Sequence, residues 1–242
     1  MTIVTVTAVL LLALGDSTAP SGPSSPVTPQ PTDDKSPSSA SPATAPLRRM
    51  CDRLQAAKTF TVRGQASLEL PVAEGKLATF FNQYDTAVRR PDGLAAHRVG
   101  DLADFRFVYD GKAMTVLVPG KGKWGTADAP PTLDAMLPAA AEQGGLNMPF
   151  DEFLVADPYP AITAGITDVV VAEPATIKGR KVEHLVLSGP RTRIEYWIDP
   201  ATALPARSLV VYLDEPQQPH FQVDFAEWKL DPKLPASTFA LP

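Results

Sequence analysis

From Phe60 to Leu70 the chain reads FTVRGQASLEL, with Phe60, Val62, Gly64, Ala66, Leu68 and Leu70 alternating with Thr61, Arg63, Gln65, Ser67 and Glu69. A period of two puts the first set on one face of a β-strand and leaves the second set wet. Ahead of it, Leu47, Met50, Cys51, Leu54 and Ala57 recur at three- and four-residue spacing, which predicts an opening helix ending near Lys58. Cys51 falls on that stripe and reads as a buried apolar filler. Beyond the first strand, Glu74 and Gly75 turn the chain into LATFFNQYDTAVRR, and Pro91, Asp92 and Gly93 close the hairpin. The strand GLAAHRV then leads to ADFRFVYDGKAMTVLV, where Phe105, Phe107 and Tyr109 alternate with Asp104, Arg106 and Val108. Asp110-Gly111 between two such runs is a strong hairpin signal, and Met114, Val116 and Val118 continue the second arm.

The pattern then changes period. Leu133, Met136, Leu137, Ala140 and Ala141 have helical spacing, with Pro138 expected to kink or break the segment. A second helix is predicted from Pro149, capped by Asn147, with Phe150, Phe153 and Leu154 on one side. Asp157, Pro158, Tyr159 and Pro160 read as a loop, after which strands resume at ITDVVVAEPATI, KVEHLVLSG, RTRIEYWID, ARSLVVYL and HFQVDFAEWKL. Short connections pair sequential strands antiparallel and exclude a Rossmann-type sheet. The predicted fold is mainly β (α+β): a curved antiparallel sheet or half-open β-barrel of about eight to eleven strands, with an N-terminal helix and a central helical insert covering the concave face.

Two segments precede this domain. Residues 1–15 begin with the uncharged run MTIVTVTAVLLLAL, too short for a bilayer span but suited to the core of a secretory signal peptide. Ala13 and Gly15 put small residues before a cut preceding Asp16, although no Lys or Arg stands ahead of the run. Residues 16–46 hold eight Pro, eight Ser and four Thr and no aromatic, the composition of a disordered tether. The remaining 196 residues, 47–242, read as a single domain large enough to fold without staples.

Composition narrows the chemistry. With 26 Pro in 242 residues an all-helical bundle is excluded, and one Cys excludes an internal disulfide and any Cys-rich metal site. A formal net charge of -5 gives no general attraction to nucleic acid. Gly120, Gly122 and Gly125 in GKGKWG match a G-x-G-x-x-G string without the strand and helix that a dinucleotide site needs, so a flexible hairpin end is expected there. Lys121, Lys123 and Trp124 would suit a lipid head group or an acidic partner, or simply solvate the loop. His97, His184 and His220 fall on separate strands, and adjacent Asp151 and Glu152 read as helix-start acids, not as an opposed acid/base pair. No nucleophile elbow, P-loop or H-E-x-x-H is present. The expectation is a non-enzyme with no catalytic residue, metal or cofactor.

The segments DPYPAITAGI (Asp157 to Ile166), YWIDPATALP (Tyr196 to Pro205) and HFQVDFAEWKLDPKLPASTF (His220 to Phe239) resemble those of an uncharacterised family of predicted periplasmic proteins, a domain of unknown function. That family is in turn similar in fold to the LolA/LolB-like lipoprotein carriers. The likeness covers Leu47 to Pro242, and its most specific element is FQVDF meeting Trp228 and the LDPKLP turn. It implies an exported protein of the periplasm or cell envelope whose concave apolar face, covered by helices, accepts acyl chains. The carriers' key basic residue and partner-binding loops are not carried over, and the long tether departs from a freely shuttling carrier. The candidate lining is Phe105, Phe107, Tyr109, Met114, Tyr196 and Trp228, residues that serve equally as sheet core, with Met136, Met148, Phe150 and Phe153 as an adaptable lid. The expected partner is a lipid, an acyl chain or a lipoprotein. The alternative is an envelope structural protein with a self-filled core and a protein partner.

Overall fold

The computed structural model describes residues 42–102, 104–146 and 148–240, so the signal segment, most of the tether and the Asn147 cap lie outside the described residues. Helix α1, Ala45–Ala56, starts two residues ahead of the apolar stripe because Pro46 occupies its first turn, where a missing N–H costs nothing. Its Leu47, Met50, Cys51 and Leu54 are buried, as the spacing requires.

The chain then runs outward through β1 (Thr59–Ala73), β2 (Lys76–Arg89), β3 (Gly93–Gly100), β4 (Phe105–Tyr109), β5 (Ala113–Val118) and β6 (Lys123–Asp128). An insert follows, made of α2 (Leu133–Gly144), a 3-10 turn at Asp151–Phe153, and α3 (Pro158–Thr163). Strands β7 (Asp168–Ile177), β8 (Arg180–Ser188), β9 (Thr192–Asp199), β10 (Leu204–Tyr212) and β11 (His220–Leu230) return to the centre. Among the described residues these eleven strands form one open antiparallel sheet in the order β6-β5-β4-β3-β2-β1-β11-β10-β9-β8-β7. The two meanders meet where β1 pairs with β11, Phe60 opposite Leu230 and Leu68 opposite Phe221. The insert therefore carries the chain from one sheet edge to the other.

One face of the sheet holds the core. Phe60, Val62 and Ala66 of β1, Val88 of β2, Phe107 and Tyr109 of β4, Leu185 and Leu187 of β8, Tyr196 and Ile198 of β9, and Val223 and Phe225 of β11 are buried against α1 and the insert. Thr61, Arg63, Gln65 and Ser67, between them on β1, face the wet side, where Arg63 pairs with Asp85 at 2.6 Å.

The hairpin end expected at GKGKWG is there: the chain turns at Pro119–Lys121 with Gly122 at φ 57°, between β5 and β6, and Lys123, Trp124 and Gly125 already belong to β6. Three other local expectations are corrected. Helix α2 runs through Pro138. The ring costs about 3 kcal/mol in a helix interior, whereas Leu133, Met136 and Leu137 are all buried and each contributes about 1.5–3 kcal/mol, so packing wins. The segment after Pro149 forms one 3-10 turn in place of a helix, entered through Phe150 in the left-handed region at φ 51°. Finally, the expected loop at Asp157 is the start of α3: Asp157 caps it by accepting from the Tyr159 N–H at 3.2 Å, and Pro158 fills its first turn.

Candidate binding site

The insert meets the middle of the apolar face with two aromatic rings. Phe153 is fully buried, its centroid 5.8 Å from Tyr196, 6.0 Å from Phe225 and 6.3 Å from Trp228. Phe150 sits 6.3 Å from Phe153, edge-on to Phe225 at 5.5 Å and to Tyr84 at 6.4 Å. The Phe150–Phe153 pair is stacked and the others are tilted or edge-on, without a face-to-face sandwich at short range. The backbone that delivers both rings is a single 3-10 turn, which satisfies few of its own hydrogen bonds.

Arg90, at the end of the β1–β2 hairpin, supplies bonds that the turn lacks. Its guanidinium donates to the carbonyls of Phe153 at 2.7 Å and Val155 at 3.1 Å on the insert, and to those of Leu54 at 3.0 Å and Ala57 at 2.8 Å at the end of α1. The same group lies 5.1 Å over the Phe60 ring. One side chain thus ties the insert, the opening helix and the sheet together.

A second tie is the Tyr196 hydroxyl, which donates to Glu152 Oε1 at 2.9 Å. Burial, reinforced by the neighbouring Asp151 charge, pushes the Glu152 carboxyl up to about 7, against the smaller opposing effect of the Tyr196 bond. Burial also raises the nearby Cys51 thiol to about 12, so it is protonated at physiological pH and no nucleophile.

The structure gathers the ten candidate residues into one apolar cluster. Phe107, Tyr109, Met114, Met136, Met148, Phe150, Phe153 and Tyr196 are buried in it, and Phe105 and Trp228 are partly buried against it. The polar ends of the large rings are satisfied: Tyr109 donates to the Pro130 carbonyl at 2.6 Å, and Trp228 Nε1 to that of Pro205 at 3.0 Å. Sequence reading missed Arg90, whose role depends on four carbonyls brought together by folding, and Glu152, read as a helix-start acid. The histidines lie apart, each with its own carboxylate at 2.8 Å: His97 with Asp104, His184 with Glu195 and His220 with Glu69. Among the described residues no three His, Cys, Asp or Glu side chains gather as an ion site. Two depressions, of about 570 and 380 Å³, lie on the wet face, the first over Thr61, Ala87 and Ala95 and the second beside Phe81 and Val99. No helix of the described residues is long and apolar enough to cross a membrane.

Residues 43–242 match a family model described as "Predicted periplasmic protein (DUF2092)". No curated protein matches the sequence. Among solved structures, the chain is similar to the MucA/MucB complex of Pseudomonas aeruginosa, with 13% identity, a TM-score of 0.45, and coverage of 84% of this chain and 62% of that one. It thus spans less than two thirds of that neighbour. It is also similar to the lipoprotein LppX of Mycobacterium tuberculosis, with 14% identity, a TM-score of 0.46, and coverage of 77% and 94%. A LolA superfamily protein of Nitrosomonas europaea shows 10% identity, a TM-score of 0.38, and coverage of 80% and 97%. At these scores the likeness is one of general architecture and carries no argument about activity.

Proposed function

We propose, from the premise that the chain belongs to the family of predicted periplasmic proteins (DUF2092), that it is an exported, non-enzymatic binding protein holding an acyl chain, a lipid or the lipidated end of another protein between its sheet and the insert. The observation that carries this reading is the plug. The centre of a wide apolar face is covered by Phe150 and Phe153 on one 3-10 turn, not by a regular helix. Those rings contact Tyr84, Tyr196, Phe225 and Trp228, and methylene groups can replace them at little cost in apolar burial. A cover fastened by Arg90 and by the Tyr196–Glu152 bond is fastened by few groups, which suits a lid. Binding without chemistry also agrees with a thiol held protonated and with three histidines on separate strands.

The second reading, an envelope structural protein with a self-filled core, is favoured by one observation: Phe107, Tyr109, Met136, Phe153 and Tyr196 are all 0% exposed. Native mass spectrometry of protein purified from its own host separates the two. A bound lipid mass, together with saturable binding of 1-N-phenylnaphthylamine by the delipidated protein, supports the carrier reading. Repeated apo spectra without probe binding sink it in favour of the self-filled protein.

A further inference from the structure

Outside edge strand β7, the exposed large apolar side chains gather at one end of the sheet. In an antiparallel meander alternate turns fall at the same end. The β1–β2, β3–β4 and β5–β6 turns therefore share one end, and the turns at 90–92 and 110–112 share the other. Each turn of the first set adjoins an exposed large apolar residue: Val72 at 57%, Val99 at 44% and Trp124 at 70%. Phe81, whose backbone holds the β3–β4 turn through Asp101, is exposed as well. Among the described residues neither turn of the second set has such a neighbour. Trp124 also differs from the other two tryptophans, since Trp228 donates to the Pro205 carbonyl and Trp197 stacks on His184 at 4.3 Å. Register places it opposite Leu117 of β5, with exposed Arg106 of β4 next in the same row. Nothing packs on the turn beside it: a Cβ added at Gly120, Gly122 or Gly125 would meet no atom within 4 Å.

The β5–β6 turn adds charge. Between Asp110 and Asp128 the chain carries Lys112, Lys121 and Lys123 and no acid, in a protein of net charge -5. Lys121 and Lys123 flank Gly122 at the tip, and among the described residues neither they nor Arg106 enter an ion pair. The acids at the neighbouring turns are occupied or offset: Asp101 accepts from the Phe81 N–H at 2.8 Å, Asp104 pairs with His97 at 2.8 Å, and Lys76 follows Glu74. An indole held in water beside free ammonium groups matches a bilayer surface, where the ring sits at head-group level and lysines reach phosphate. A protein partner fits less well. A stable protein interface takes about 800 Å² from each side, and here the apolar groups are single side chains on separate turns. A plane meets the ends of several turns at once.

We propose that this end of the sheet docks on an anionic bilayer, with Trp124 in the interface, Lys121 and Lys123 on lipid phosphates, and Val72, Phe81 and Val99 against the same surface. The short turn and the β5–β6 ladder hold Trp124 and Lys123 in place before contact, which lowers the entropy cost of binding. The surface is separate from the apolar cluster under the insert, so docking stands or falls independently of the acyl-binding reading.

The test uses protein purified from its own host and vesicles of phosphatidylcholine, alone or mixed equally with phosphatidylglycerol, and reads co-sedimentation and tryptophan emission. Wild type is expected to sediment with the mixed vesicles at low salt, to be released as salt rises, and to shift its emission to the blue. A lysine near an anionic surface is worth about a fivefold change in partitioning, so Lys121→Gln with Lys123→Gln should weaken binding about 25-fold. Trp124→Phe should abolish the blue shift. Lys178→Gln with Lys181→Gln removes the same charge from the β7–β8 turn, at the opposite end of the sheet, and should bind as wild type does. Should the substitutions unfold the protein, wild type decides: lipids brominated on their chains quench its emission if Trp124 enters the bilayer, and leave it unchanged otherwise. Equal binding to the two kinds of vesicle, or equal losses from the two lysine pairs, overturns docking by this end. Sedimentation with no shift in emission overturns it as well, because the contact then lies away from Trp124. Absence of sedimentation, with Lys121 and Lys123 crosslinking to an acidic protein instead, gives the tip to a protein partner and ends the membrane proposal.

Discussion

At the scale of single residues, Glu152 is the group whose surroundings change its chemistry most visibly. Its carboxyl titrates at about 7 in the folded protein against an ordinary value of 4.5. Between those values the folded state keeps a proton that the unfolded state has released, so stability falls as pH rises from 4.5 to about 7 and is level in this respect above it. At 1.36 kcal/mol per unit the loss has a ceiling of about 3 kcal/mol. Glu152→Gln keeps an oxygen for the Tyr196 hydroxyl and removes the charge. Urea midpoints of the variant should exceed those of wild type at pH 8 and converge with them near pH 4.5; a constant difference across that range would refute the assignment. Cys51 gives a simpler expectation: with its thiol at about 12 and 1% exposed, it should resist Ellman's reagent until urea unfolds the domain. Cys51 was legible from its place on a helical stripe. Glu152 was not, because its partner is 44 residues away and only the fold brings Tyr196 to it.

Among the elements, legibility follows how completely local pattern determines structure. Strand β1 buries every second residue from Phe60 through Leu68, and this stretch was readable because period two has no competing interpretation there, whereas its continuation through Pro71 to Ala73 lies beyond the alternating run. Strand β6 was missed because it is exposed along its whole length, so it carries no buried-face signal. The insert was misread in three places where a local rule was overridden or had two outcomes. Pro138 remains in α2 under the weight of buried neighbours, Asp157-Pro158 starts a helix with the residues that also mark turns, and Phe150 takes a backbone conformation that few non-glycine residues adopt. These exceptions cluster in the segment we assign as the lid, where fastening comes from outside the segment. Arg90→Leu tests that fastening. It leaves the carbonyls of Phe153, Val155, Leu54 and Ala57 without their shared donor, and a buried carbonyl so stranded costs about 1–3 kcal/mol. Hydrogen exchange should quicken at residues 150–157 before any global change, with tighter binding of a hydrophobic dye. Exchange that rises uniformly over the sheet would mean that Arg90 supports the whole fold and not the lid.

For the whole molecule the open sheet presents a hazard. An unclosed sheet ends in two edges, here β6 and β7, and an edge with free backbone groups invites pairing with another chain. Strand β6 is short and begins with Lys123, which discourages such pairing. Strand β7 is ten residues long and exposes Val170 and Val171 at 49% and 47%, so its protection must come from elsewhere. Residues 42–44 contact it, and its register with β8 breaks between Ala172 and Ala175 at Glu173-Pro174. A proline within a strand removes a ladder donor, and a bulge twists the edge away from a flat partner. The sequence showed Pro174 inside a strand but not that this strand would lie at the edge, since strand order depends on the insert's crossing from β6 to β7. Pro174→Val restores the donor and raises β-propensity on an exposed edge. The variant should keep the circular dichroism spectrum of wild type while forming dimers or larger species in sedimentation velocity runs at concentrations where wild type remains monomeric. If it sediments as wild type does, the edge is guarded by the contacts of residues 42–44 alone, and the proline marks only the bend.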